Sequence, residues 1–247
     1  MPFHRNKVSR LAFLALVLAF CPAKNGSLMA AENSYIAEKR FGQNLSPYSS
    51  ATMNGRNAMT RAELEVLSEI NLMRSDPPGY ALLRLAPLRQ EYHGKMFYHP
   101  DRNAVPIETN EGVAALDECI QVLKYARPAP MLSPSEGLAL ASREMAEEQG
   151  ATENTGHIGN FGSTMSERIE RYGEWSGTIA ENISYGFRQP RDIVAQLLID
   201  DGVSSRGHRK NLLDPAFRHV GISIGSHRRY RDMCVMDFAG GYITNKP

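Results

Sequence analysis

Apolar positions recur at helical spacing through most of this chain and switch to strand spacing near its end. Leu64, Leu67 and Ile70 form the first helical stripe, which Asp76-Pro77-Pro78-Gly79 is expected to end. Val113, Leu116, Ile120 and Leu123 form the second, stopped by Pro128 and Pro130. Ser133-Pro134-Ser135-Glu136 has the pattern of a capping box with proline at the first helical position, predicting a third helix with Leu138, Ala141 and Met145 on its inner face and Gly150 at its end. Thr164-Met165-Ser166-Glu167 caps a short helix to Tyr172, and Pro190 opens another through Ile193, Val194, Leu197 and Leu198 to Asp200 and Asp201. The period then changes. Val220, Ile222 and Ile224 alternate with polar or small residues, as do Cys234, Met236 and Phe238, predicting two strands. Residues 84–110 show no period, and the stretch holding Glu181 and Asn182 reads as turns. Helices first and strands last argue for an α+β domain over residues 60–244, an antiparallel sheet covered by helices.

The N-terminus follows a different pattern. Arg5, Lys7 and Arg10 precede an apolar run from Leu11 to Phe20, shorter than the about 20 residues of a membrane-spanning helix. This is the layout of a secretory signal peptide, assigned to residues 1–30, and residues 31–59 read as a flexible leader. The expectation is a secreted protein, extracellular or periplasmic, with no stable membrane span. Cys119 and Cys234 fall on the apolar faces of a helix and a strand, which suits either two buried thiols or one disulfide. A net charge of +1 gives no global attraction for nucleic acid, and none is expected as a partner. Residues 206–231 nevertheless hold seven Lys/Arg and one Asp, a stretch that suits anionic glycan or lipid head groups or is a solvated face. Asn71 and Arg74 also read as a solvated face, on the first helix.

The chain has no His-Glu-x-x-His, no Gly-x-Ser-x-Gly, no phosphate-binding glycine loop and no Cys-x-x-Cys. What remains is His157 in the glycine-rich segment 156–162, Ala180-Glu181-Asn182-Ile183, and Arg206-Gly207-His208-Arg209-Lys210-Asn211. In this order, with the run 199–212, Val220-Gly221-Ile222 and Met233-Cys234-Val235, these segments resemble the CAP superfamily of cysteine-rich secretory proteins, antigen 5 and pathogenesis-related proteins. The bacterial branch with its SCP-like domain is the nearest pattern, over roughly residues 60–243.

The resemblance implies an α-β-α sandwich with a central antiparallel sheet and a cleft lined by two histidines and one or two acids. His157, Glu181 and His208 match that pattern, Asp200 or Asp201 stands where a further acid is found, and Asn182 and Arg168 are expected to support the cleft. Two imidazoles and one carboxylate would make a three-ligand site with an open position, suited to zinc or another divalent cation. A bound ion could activate water for peptide or ester hydrolysis. Alternatively, Glu181 could bond both imidazoles in a structural network that takes no ligand. The superfamily has no single activity, so the expectation is a binding module for a divalent metal and/or a small apolar molecule, an envelope component or a partner protein. A metal-dependent hydrolase and the ligand-free histidine network are the alternatives, and the sequence assigns no catalytic residue.

Overall fold

The computed structural model describes residues 59–99 and 105–245, so the signal segment 1–30 and all of the leader except Met59 lie outside the described residues. Thr60 starts α1 (Arg61–Ser75) through a capping box with Glu63, and Leu64, Leu67 and Ile70 are buried as their spacing predicts. Asp76 ends α1 as expected and also turns the chain: its carboxylate accepts from Gly79 N and caps α2 (Pro77–Tyr80), whose prolines occupy the first turn. A π turn (Ala81–Leu85) and a 3-10 turn (Ala86–Glu91) follow. The region expected to be irregular then forms a small antiparallel sheet of β1 (Tyr92–His93), β2 (Met96–Phe97) and β3 (Ile107–Glu108).

After α3 (Val113–Tyr125), Ser133 and Pro134 form a short strand, β4, parallel to β6 (His219–His227). This corrects the predicted helix start. Ser133 N donates to Arg218 O and Ser135 N to Val220 O, so the sheet claims that backbone and α4 (Glu136–Gly150) begins only after Ser135. The Thr164 capping box forms as expected and opens α5 (Met165–Tyr172). The segment read as turns is instead a long strand, β5 (Gly173–Tyr185), antiparallel to β7 (Arg231–Thr244). Two helices lie between β5 and β6: α6 (Pro190–Ile199) and α7 (Gly207–Leu213). The main sheet has the order β4-β6-β7-β5, with β5 on an edge.

Alternation along β7 shows how the layers form, because successive strand side chains point to opposite faces. Cys234, Met236 and Phe238 enter the larger core with Leu67 of α1, Leu116 of α3 and Val194 of α6. Met233 and Val235 pack on Met145 and Ala146 of α4, while Ala239 joins Leu138, Ala141 and Ile169. Helices therefore cover both faces of a mainly antiparallel sheet, an α-β-α sandwich. Cys119 and Cys234 are both free and buried; burial raises the Cys119 thiol to about 12 and that of Cys234 further. Asn71 and Arg74 are buried too, contrary to expectation. Asn71 exchanges two hydrogen bonds with the backbone of Leu132, and Arg74 donates to the carbonyls of Pro130, Leu212, Asp214 and Phe217.

The closest approach of the α4 layer is at Gly221, where an added Cβ would lie 2.0 Å from Leu138 C and Ala139 N. Those are backbone atoms and cannot swing aside. Gly221→Ala is expected to destabilise the fold by about 1–3 kcal/mol or more in urea denaturation. An unchanged midpoint would show that α4 is not seated this tightly.

Candidate functional site

His157 lies in the loop between α4 and α5, and the loop is anchored at several points. Gly156 has φ +104, a left-handed conformation that favours glycine. Its N–H donates to the Tyr185 hydroxyl at 3.0 Å, and its carbonyl accepts from Gln149 Nε2 at 2.8 Å. Arg168 Nη2 donates to His157 O at 3.3 Å. Glu181 sits on β5 opposite Asp237 of β7, on the face toward α4, with its side chain 1% exposed. Its Oε1 is 2.8 Å from His157 Nδ1, and its Oε2 accepts from Arg168 Nη2 at 2.7 Å. Arg168 is fully buried and also donates to Ser163 O at 2.8 Å.

His208 arrives from the other layer. α6 ends at Asp200, which adopts the left-handed conformation (φ 55, ψ 43) that aspartate tolerates better than most residues. The turn directs its carboxylate at the start of α7, where it accepts from His208 N at 3.0 Å and lies 2.7 Å from His208 Nδ1. Asp201 points elsewhere, accepting from Asn110 N at 2.6 Å and Glu111 N at 2.8 Å. Asp200 is thus the acid beside the histidine, and Asp201 fastens the loop before α3. Asn182, on the face of β5 opposite Glu181, donates to His208 O at 3.0 Å and accepts from Asn211 Nδ2 at 2.8 Å. Arg209 is buried and donates to the carbonyls of Leu198 and Ile199, which fixes the α6–α7 turn.

The two imidazoles meet beside β5, with ring centroids 6.4 Å apart and planes tilted by 37°. His157 is 52% exposed and His208 24%. Each Nδ1 faces its own carboxylate, leaving Nε2 as the nitrogen available to a ligand. Glu181 stands behind His157 rather than beside the two rings as a third ligand, since its oxygens engage His157 and Arg168. Among the described residues, no group of three His, Cys, Asp or Glu side chains is arranged to hold a metal ion. The donor set suits a cation held by two imidazoles, with the carboxylates fixing tautomer and ring orientation from behind and water completing the shell. A cavity of about 640 Å³ adjoins both rings, with walls that include Leu88, Phe97, Ile107, Phe187 and Leu197. That volume lies in the range of about 300–1,000 Å³ found for small-molecule sites.

Asp237 escaped the sequence reading and belongs to this network. It is fully buried, and Ser142 Oγ donates to its Oδ2 at 2.8 Å. Burial, and secondarily the negative charge of Glu181, push its carboxyl well above the usual carboxylate range. No donor faces Asp237 Oδ1 among the described residues. The signal was present in Met233-Cys234-Val235-Met236-Asp237-Phe238-Ala239: one acid inside a continuous apolar run marks a strand buried on both faces.

Residues 67–238 match the family model described as the cysteine-rich secretory protein family, CAP. No curated protein sequence matches the chain. Among solved structures, an outer surface protein of Borrelia burgdorferi is similar at 21% identity and a TM-score of 0.39, covering 45% of this chain and 78% of its own. An extracellular protein containing an SCP domain from Bacillus anthracis is similar at 20% identity and a TM-score of 0.36, covering 45% of this chain and 34% of its own. Among the described residues, no helix is long and apolar enough to cross a membrane.

Arg168→Met leaves Glu181 buried without its cation, and the expected loss is about 3–5 kcal/mol in equilibrium unfolding. A loss below about 1 kcal/mol would mean that the pair does not hold this layer. Asp237 tests the pH dependence. With its folded pKa above an unfolded value of about 3.9, the folded state binds more protons, so this group's contribution to stability falls as pH rises from about 4. Asp237→Asn removes that penalty. The variant is expected to gain stability relative to the parent as pH rises above about 4, and parallel curves for the two proteins would contradict a raised Asp237 carboxyl.

Proposed function

The chain belongs to the cysteine-rich secretory protein (CAP) family, and on that premise we propose that it is a secreted binding module whose cleft holds a divalent cation between His157 and His208, with a small apolar ligand in the adjoining cavity. The carrying observation is the pair of imidazoles, each with Nδ1 held by a buried carboxylate, Glu181 or Asp200. Carboxylates that bond the far nitrogen of a metal-binding histidine orient its ring in this way. A zinc ion or a comparable cation would be held by His157 and His208 and would supply a Lewis acid at the cleft. The chain's own residues hold the rings still: Arg168 through Glu181 and the His157 carbonyl, Asn182 through the His208 carbonyl.

A hydrolytic role draws less support. Glu181, the acid nearest the pair from β5, has one oxygen engaged by His157 and the other by Arg168, so it is poorly placed to take a proton from water. Secretion rests on the charged and apolar pattern of residues 1–30, and an envelope component or a partner protein outside the cytoplasm fits that location.

Zinc titration of the purified chain by calorimetry tests the cation site. His157→Ala and His208→Ala are each expected to weaken binding at least about tenfold, a change of ~1.4 kcal/mol. Asp200→Asn is expected to weaken it about 10–100-fold through the orientation of His208. Unaltered affinity in both histidine variants would remove the metal from this reading.

A further inference from the structure

The basic residues between 206 and 231 do not form one surface. Arg206 and Arg209 are ion-paired with Glu111 and Glu118, and Arg218 donates to the carbonyls of Pro215 and Phe217. Arg228, Arg229 and Arg231 are different: they stand exposed at the β6–β7 turn, with no carboxylate at ion-pair distance among the described residues. Asp232, the next acid along the chain, is already paired with Arg188 at 2.8 Å. The positive charge of this turn is therefore unbalanced.

The turn is also built against the usual residue preferences. His227 pairs with Arg231 across it, which leaves Arg228, Arg229 and Tyr230 as the loop. Loops of this length commonly end in a left-handed residue, a place that favours glycine. Here Arg231 takes that conformation, at φ 73. The Asn, Asp and Gly that ordinarily form such turns are absent from 228–231. Support comes from beneath instead. His227 is buried, its Nδ1 accepts from Arg229 N at 3.2 Å and Tyr230 N at 3.3 Å, and its Nε2 bonds Asn154 O at 2.9 Å. Arg228 N donates to Gly150 O at 3.1 Å, which ties the turn to the end of α4. The outward positions thus carry arginines that the turn itself does not require.

Tyr230 completes the surface. Its ring packs 5.5 Å from that of Tyr185 and 5.2 Å from that of His227, yet the residue is 37% exposed. The Arg229 guanidinium lies 5.3 Å from its centroid. We propose that this turn docks an acidic polysaccharide, with its carboxylate or sulfate groups on Arg228, Arg229 and Arg231 and a sugar ring against Tyr230. Guanidinium donors match planar and tetrahedral oxyanions, and a half-exposed aromatic ring offers an apolar face to a sugar that stays wet on its other side. Three unpaired arginines are fewer than the about 4–8 clustered cations of segments that hold an anionic membrane. A polymer that brings repeated charges to one small site fits this turn better.

Calorimetry on the full chain with four probes tests the parts: a hexagalacturonate, a heparin-derived hexasaccharide, neutral maltohexaose and hexaglutamate. The better acidic hexasaccharide is expected to bind at least about tenfold more tightly than maltohexaose, the scale of one charge-assisted contact. Its affinity should fall at least about tenfold between about 50 and 200 mM salt. Whichever of the two binds more tightly assigns the acid as carboxylate or sulfate. Arg229→Gln/Arg231→Gln, altered only at exposed positions, should weaken that binding at least about tenfold. Tyr230→Ala should weaken both acidic hexasaccharides and leave hexaglutamate unchanged. In the parent protein, titration with the better hexasaccharide should shift the backbone amides of 228–231 most, a readout that needs no variant.

Failure of both acidic hexasaccharides to bind would overturn the proposal, as would amide shifts centred away from the turn. Maltohexaose binding as tightly would remove the arginines from it. Hexaglutamate binding as tightly would replace the glycan with any polyanion. Binding confined to oligothymidylate, or to vesicles containing anionic phospholipid, would overturn it in favour of nucleic acid or a membrane surface.

Discussion

Glu181 and Arg168 form a buried ion pair on which the geometry of the cleft depends. Both side chains are removed from water, and a buried charge is tolerable only with a partner held at close range. The pair joins an edge strand to a short helix, and the same two residues hold His157 by its ring and by its carbonyl. The loop, α5 and β5 are therefore placed together or not at all. Asp237 extends this arrangement one strand further, toward Ser142 and α4, where burial beside the charge of Glu181 holds its carboxyl well above the usual carboxylate range.

The opposite layer solves the same problem with different parts. Asp200 takes a left-handed turn at the end of α6 and presents its carboxylate to the backbone and ring of His208. α7, only 7 residues long, lacks the length to be a stable helix in isolation. Neighbouring groups hold it instead: Asn182 from the sheet, Arg209 on the α6 carbonyls, and Arg74 on the carbonyls that follow Asn211. Arg74 bonds only to carbonyl oxygens, and burial lowers its pKa to about 10. It is an internal cation that gathers the segments following α3 and α7.

Much of the architecture was legible because it follows from one-sided burial. Leu64, Leu67 and Ile70, or Ile193, Val194, Leu197 and Leu198, each have a single apolar face to hide, and their spacing states which. β6 and β7 were visible through the alternation of Val220, Ile222 and Ile224 and of Cys234, Met236 and Phe238, although both strands are buried on their two faces. β5 was not, since Glu181, Asn182 and Ser184 are polar residues buried for the sake of their partners, and no periodicity describes a partner. β4 was hidden by a better local signal: Ser133-Pro134 looks like a helix start until the backbone of β6 competes for it.

For the cleft, the sequence by itself determined the residue types and their order: two histidines on glycine-flanked segments, a glutamate between them, and an aspartate pair at the end of a helix. It also carried the family. Tertiary structure decided which atoms face one another. It placed Asp200 rather than Asp201 on His208, set Glu181 behind His157 instead of next to it as a ligand, and brought Asp237 into the network. The reason is physical. Local sequence encodes backbone preference and a burial pattern, whereas the direction of a buried polar group is set by partners that only the packed layers bring within hydrogen-bond range.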